Sequence, residues 1–189
     1  MSDKREVFVS VDVETAGPIP GEYSLLSIGA CSIFEPQNTF ACNLKPINRN
    51  FDPKALEVSG LSLDDLTRKG LAPTEAMGSF STWLSGLTGA DGTPVFVGFN
   101  APFDWSFVNY YFHRFAGSNP FGFTAVDIKA IYMGATGCSW SDTRSSKIAE
   151  RLKPALSGTH DALRDAQYQA EIFRLVWSEL IKSRRRRDA

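Results

Sequence analysis

Histidine and cysteine are scarce in this chain, and long apolar runs are missing altogether. The three cysteines among 189 residues, Cys31, Cys42 and Cys138, are odd in number and show no metal-ligand spacing. Two of them fall in strand-like runs and read as core thiols, which argues for a reducing, cytoplasmic setting. No stretch approaches the roughly 20 apolar residues of a membrane-spanning helix. The first residues, Met1-Ser2-Asp3-Lys4-Arg5-Glu6, are charged rather than signal-like. Net charge is almost absent too, at −1, but it is unevenly spread. Lys182 and Arg184 to Arg187 set five positive charges against Asp188 at the end, so residues 1–181 carry about −5. A body of that sign does not draw in polyanions by its bulk field; bound cations and local basic groups must reverse the sign at any site that takes one.

What remains is the composition of an ordinary globular domain, 43% hydrophobic and 22% charged, long enough for one sizeable core and short for two. The expected organisation is one domain over residues 1–181 and a basic, solvated tail over 182–189. Val7 to Thr15 has the β-branched and aromatic content of a buried strand. Ser24 to Phe34 and Phe40 to Leu44 read as the next two, joined by a turn at Glu35-Pro36-Gln37-Asn38. Residues 51–69 form an irregular or helical connection. A helix over Thr74 to Leu84, with Thr74 as its cap, precedes a turn-like stretch from Gly86 to Thr93 and a strand over Pro94 to Phe99. Helical spacing follows over Phe103 to Phe115, a short strand ends near Asp127 and passes into helix, and Ser145 to Leu152 and Asp161 to Ile181 are helical again. Strands first, then helices alternating with strands, give an α/β class with a mixed sheet flanked by helices.

Three acidic places stand out. Alternation in the first strand puts Val7, Val9, Val11 and Val13 on one face and Phe8, Ser10, Asp12 and Glu14 on the other. Two carboxylates on one face of a covered strand repel and take up protons unless a cation sits between them; the competing reading is a strand that frays into water at Asp12. Asp104, in Asn100-Ala101-Pro102-Phe103-Asp104, lies in the first turn of a helix, where an acid can simply complement the helix dipole. His160 stands at the entrance of the last helix, Asp161 is a reasonable N-cap, and Asp165 follows one turn inside, between Ala162 and Ala166. Hard oxygen donors suit Mg²⁺ or Mn²⁺ rather than zinc. Four such carboxylates are what a pair of ions clamping an in-line phosphoryl displacement needs. The imidazole of His160 can take a proton from water near neutral pH, whereas His113, inside the aromatic helix, reads as packing or surface.

In order, Asp12-x-Glu14, Asn100-x-x-Phe103-Asp104 and His160-x-x-x-x-Asp165 resemble the three exonuclease motifs of the DnaQ-like superfamily. The histidine in the third places the resemblance with the DEDDh 3′-to-5′ exonucleases, among them ribonuclease T, oligoribonuclease and polymerase proofreading subunits. It covers residues 7 to about 180 and implies a ribonuclease H-like fold with two Mg²⁺ or Mn²⁺ ions. By that resemblance Asp12 bridges both ions, Glu14 and Asp165 complete the shell of one, Asp104 holds the other through water, and His160 activates the attacking water. Glu57-Val58-Ser59-Gly60-Leu61 departs from the His-Gly that many relatives carry, with Ser59 before the glycine. Asp127 resembles a recurrent family acid and reads as a structural partner.

An exonuclease must hold an unpaired 3′ end, and bases stack on aromatic or apolar side chains without sequence readout. Ile19 and Tyr23 in the loop after Glu14, and Asn100 and Phe103 beside Asp104, are the candidate substrate contacts; Phe99 and Trp105 also offer stacking faces. The expected substrate is a single-stranded or frayed nucleic acid, DNA or RNA, trimmed to nucleoside 5′-monophosphates. Some members of the resembled family form homodimers, and the arginine-rich end fits that arrangement or a loose phosphate contact. Two other classes stay open from the residues: a nucleic-acid-binding module on a decayed nuclease fold, and a small-nucleotide phosphohydrolase sharing the ions.

Overall fold

A computed structural model describes the backbone of residues 5–187 and the side chains of residues 5–180. Five strands form one sheet: β1 (Arg5–Thr15), β2 (Leu25–Ser32), β3 (Thr39–Asn43), β4 (Gly92–Gly98) and β5 (Ala125–Asp127), in the order β3-β2-β1-β4-β5. The first three are an antiparallel meander, and β4 and β5 are added parallel to β1. A parallel addition needs a crossover, and each crossover here is helical. Short helices α1 (Pro53–Ser59) and α2 (Leu63–Lys69) and the longer α3 (Pro73–Thr88) lie between β3 and β4. Helix α4 (Pro102–Phe115) separates β4 from β5. After β5 come α5 (Ile128–Thr136), α6 (Ser145–Leu152) and α7 (Ala162–Arg187). The mixed sheet with helices on both faces is the ribonuclease H-like arrangement.

The alternation expected in β1 divides the core in two. Val7, Val9, Val11 and Val13 pack with Met77 and Phe80 of α3 and Phe107, Val108, Tyr111 and Phe112 of α4. Phe8, on the opposite face, joins Ile33, Val97, Ile128 and the α7 residues Ala170, Ile172, Phe173 and Val176. Buried aromatic and aliphatic side chains of this size each contribute about 1.5–3 kcal/mol, so each cluster is a substantial anchor for its helices. Ala162, Ala166, Ala170 and Phe173 are buried as their spacing requires.

Element ends differ from expectation in a few places. The helix expected from Thr74 begins at Pro73, so Thr74 lies in its first turn and the capping position belongs to Ala72, without a side-chain cap. Proline supplies the start instead, because its fixed φ suits the first helical residue and its missing N–H is no loss there. The same helix runs on to Thr88 and β4 starts at Gly92, which shortens the supposed turn between them. Residues 51–69 resolve into α1 and α2, capped by Asp52 and Ser62. Helix α7 continues past Ile181 to Arg187. The side chains of the expected 182–189 tail lie outside the described residues.

Candidate active site

The carboxyl ends of β1 and β4 and the amino ends of α4 and α7 meet beside the strand that carries Asp12 and Glu14. Asp12 pairs across the sheet with Gly29 of β2, and this glycine sets how close α7 comes. A Cβ at Gly29 would stand 2.1 Å from the carbonyl carbon of Ala162 and 2.2 Å from the amide nitrogen of Leu163. The first turn of α7 therefore rests directly on the sheet backbone, and the Cys31 thiol donates to the carbonyl of Ala166 (3.6 Å) a turn further on. Small residues on both sides bring Asp165 over the acidic face of β1.

Asp12, Asp104 and Asp165 are each held by a main-chain or amide donor. Asp165 accepts from two successive amides, Thr159 N–H at 2.7 Å on Oδ1 and His160 N–H at 2.9 Å on Oδ2. Glu171, farther along the same helix, clamps Ala155 N–H and Leu156 N–H in the same way (2.8 and 2.9 Å). Two α7 carboxylates thus pin the loop that delivers His160. His160 adopts φ 58°, a left-handed conformation that a side chain rarely takes unless its surroundings impose it. Asp161 caps α7 through Arg164 N–H (3.0 Å), as expected. Asp104, 5% exposed, accepts from Val13 N–H (3.1 Å), so the start of α4 is tied to β1 between its two acids. Asp127 accepts from the amides of Asn100 (3.0 Å), Ala101 (3.4 Å) and Lys129 (3.2 Å). It shapes the β4–α4 turn, as its structural reading required, and Asn100 takes φ 64° there.

Gln169 belongs to none of the three motifs, and motif spacing does not find it. It is 6% exposed on α7, donates from Nε2 to Asp12 Oδ1 (2.5 Å), and accepts from Phe99 N–H on Oε1 (2.9 Å). One side chain thereby fixes Asp12 relative to the end of β4. The signal that points to it is a glutamine on the buried stripe of α7, beside Ala166, Ala170 and Phe173, where a polar group must have partners.

Electrostatics marks the cluster as incomplete by itself. Burial, then the charges of Asp104, Asp165 and Glu14, push the Asp12 carboxyl well above the usual carboxylate range, against the Gln169 hydrogen bond. Glu14 is raised to about 7 by burial and by Asp165 and Asp161. Asp104 is raised to about 7, chiefly by burial, with the Val13 amide opposing. Oxygen or nitrogen donors of Glu14, His160 and Asp165 lie within 4.8 Å of one another. Repelling carboxylates with converging hard donors fit divalent cations: a cation lowers every one of these raised values at once.

The candidate substrate contacts are less uniform. Ile19 is 50% exposed at the tip of the β1–β2 loop. Tyr23 is half-buried, its ring against Gly17. Phe103 is half-buried with its ring 5.4 Å from that of Phe107, and Asn100 is exposed. Ser59 closes α1, with Gly60 left-handed after it. His113 is on the surface, one of its two expected places.

A ribonuclease H-like sheet with four acids and a histidine at its carboxyl edge defines the nuclease class. The chain belongs to the RNase_T exonuclease family, whose model matches residues 9–173. It is 58% identical over 176 residues to the Escherichia coli 3′-5′ DNA exonuclease Cap18, covering 93% of this chain and 94% of that protein. Among solved structures it resembles the nuclease domain of 3′hExo, a DEDDh family member bound to rAMP (TM-score 0.73, 16% identity, 94% of each chain). Escherichia coli Exonuclease I in complex with a dT13 oligonucleotide is also similar in fold (TM-score 0.69, 18% identity), over 97% of this chain and 42% of the other.

Proposed function

We propose that the metal-dependent 3′-to-5′ exonuclease activity of this family is carried here by Asp12, Glu14, Asp104, His160 and Asp165. The observation that supports it best is the convergence of all four acids from β1, α4 and α7, with raised proton affinity at Asp12, Glu14 and Asp104. Asp12, Glu14, Asp104 and Asp165 would hold the divalent ions, which we assign as a pair of Mg²⁺ or Mn²⁺. When bound, such a pair stabilises charge on the attacking and leaving oxygens of an in-line displacement.

The chain's own residues supply the rest. His160, exposed at the mouth of the cluster, takes the proton of the attacking water. Attack at phosphorus breaks the bond to the 3′ oxygen of the preceding nucleotide, which takes up a proton and becomes the new 3′-hydroxyl, so the last nucleotide leaves as its 5′-monophosphate. Gln169 keeps Asp12 facing the reaction by holding one of its oxygens. The exposed Ile19, with the half-buried Tyr23 and Phe103, is the apolar contact we assign to the terminal base. The substrate we assign is a single-stranded or frayed 3′ end, DNA or RNA, on a catalytic unit of residues 1–181 with the basic 182–189 segment as tail. Three free thiols support a reducing, cytoplasmic setting. Among the described residues no helix is long and apolar enough to cross a membrane. Pairing into a homodimer, the arrangement of some members of the resembled family, is part of the proposal and is read by sedimentation.

The test is a 5′-blocked, 3′-labelled oligomer with Mn²⁺. Labelled mononucleotide should appear, and a 3′-phosphate should block its release. Asp12→Ala should cut the rate by at least about a thousandfold with an unchanged fold, and His160→Ala by about a hundredfold or more. Near-full cleavage by either variant would overturn the assignment.

A further inference from the structure

We propose that the outward stripe of α4 is the track for the single strand immediately 5′ of the scissile phosphodiester. The proposal rests on the exonuclease reading and extends it to where the rest of the substrate lies. Helix α4 has two distinct sides. Asp104, Phe107, Val108, Tyr111 and Phe112 are buried. The half-buried Trp105, Ser106, Asn109 and Tyr110 and the exposed His113 and Arg114, with Pro20 of the β1–β2 loop, line an open groove of about 860 Å³, the inner side of the Trp105 ring resting on Phe96 (5.2 Å between ring centres).

The composition of that stripe is unusual for a solvated helix face. Such faces are normally charged and polar; this one holds two large aromatic rings, an imidazole, an amide, a hydroxyl and a guanidinium, and no carboxylate. Those are the groups that stack bases and contact phosphates without reading sequence. The Arg114 guanidinium lies 5.6 Å from the Tyr110 ring centre and 5.5 Å from that of Phe115, and donates to the Tyr110 hydroxyl. Among the described ion pairs none engages Arg114. Two rings therefore orient a cation whose charge stays free for a phosphate, on a body that is otherwise net negative.

Position ties the groove to the reaction. Trp105 directly follows Asp104, and Pro20 directly follows the exposed Ile19. The β1–β2 loop sits on the stripe so closely that a Cβ at Gly21 would meet the Tyr110 hydroxyl at 2.6 Å. From Trp105 to Arg114 the helix advances about 14 Å, room for roughly four phosphates at the 3.4 Å spacing of a duplex strand and for fewer in a stretched one.

Anisotropy of labelled thymidine trimer and dodecamer, with the full chain carrying Asp12→Ala so that neither is degraded, tests this. The dodecamer should bind more tightly than the trimer. Arg114→Ala, an exposed position, should weaken the dodecamer about tenfold, lower the slope of log affinity against log salt by about 0.7, and leave the trimer unchanged. A dodecamer bearing 5-iodouracil three nucleotides from its 3′ end should photocrosslink to Trp105 or Tyr110. Equal affinity of parent and Arg114→Ala for the dodecamer, or equal weakening of both lengths, would overturn the track. Failure of the exonuclease reading would show separately, as no release of mononucleotide by the unmutated chain.

Discussion

At the scale of single residues, the site depends on side chains that do no chemistry. Gln169 is the sharpest case, since one amide serves Asp12 and the Phe99 amide together. Gln169→Leu keeps the volume and removes both bonds. The partly buried Phe99 N–H then loses its acceptor, at about 1 kcal/mol, and Asp12 is free to turn toward its neighbours. The expected result is a lower melting temperature, about a tenfold loss of kcat, and a higher Mn²⁺ concentration for half-maximal rate. Gln169→Asn, tested beside it, shortens the reach without removing the amide and should recover neither bond in full. A variant with unchanged metal dependence would reduce Gln169 to a packing residue. The acids and His160 are legible in the sequence because their chemistry restricts the residue types. Gln169 is not, because a glutamine advertises no single role until its neighbours are known.

The element scale explains why the acids meet at all. Strand β1 presents Asp12 and Glu14 on one face through simple alternation, which the sequence makes plain. The approach of α7 rests on Gly29, whose importance is invisible until β2 is registered against β1 so that Gly29 faces Asp12. Gly29→Ala puts a methyl group against helix backbone, where no side chain can swing aside. Overpacking of this kind costs about 1–3 kcal/mol, or roughly 2–12 °C of melting temperature for a chain of this size. Because Asp165 rides on the displaced turn, activity should fall by more than about tenfold even where the protein remains folded. Thermal melts and nuclease assays on the same sample separate the two effects; an unchanged rate would mean that α7 is placed by its Phe8–Phe173 contact alone. Element ends are the least readable feature. Pro73 and Thr74 compete to start α3, and tertiary packing carries that helix four residues past Leu84.

For the molecule as a whole, the acidic cluster couples stability to pH and to metal. In the metal-free protein the Glu14 and Asp104 carboxyls sit at about 7, above their ordinary values of 4.5 and 3.8. Asp12 is displaced in the same direction. A carboxyl raised by folding binds its proton more tightly in the native state than in the unfolded one. Its contribution is therefore favourable at low pH and is lost as pH rises from the ordinary carboxylate range through about 7. In chelator the melting temperature should consequently fall between about pH 5 and pH 8, by about 5 °C if a couple of kcal/mol are lost at roughly 2–4 °C each. Asp104→Asn removes one titrating group and should flatten that fall. Mn²⁺ should abolish it and raise the melting temperature most at the alkaline end, because a cation binds the ionised cluster and stabilises only the folded chain. Should the metal-free protein instead gain stability over that interval, and Asp104→Asn lose it, the acids would be paired with a positive group of the chain itself, and the cation-binding reading of the cluster would fail.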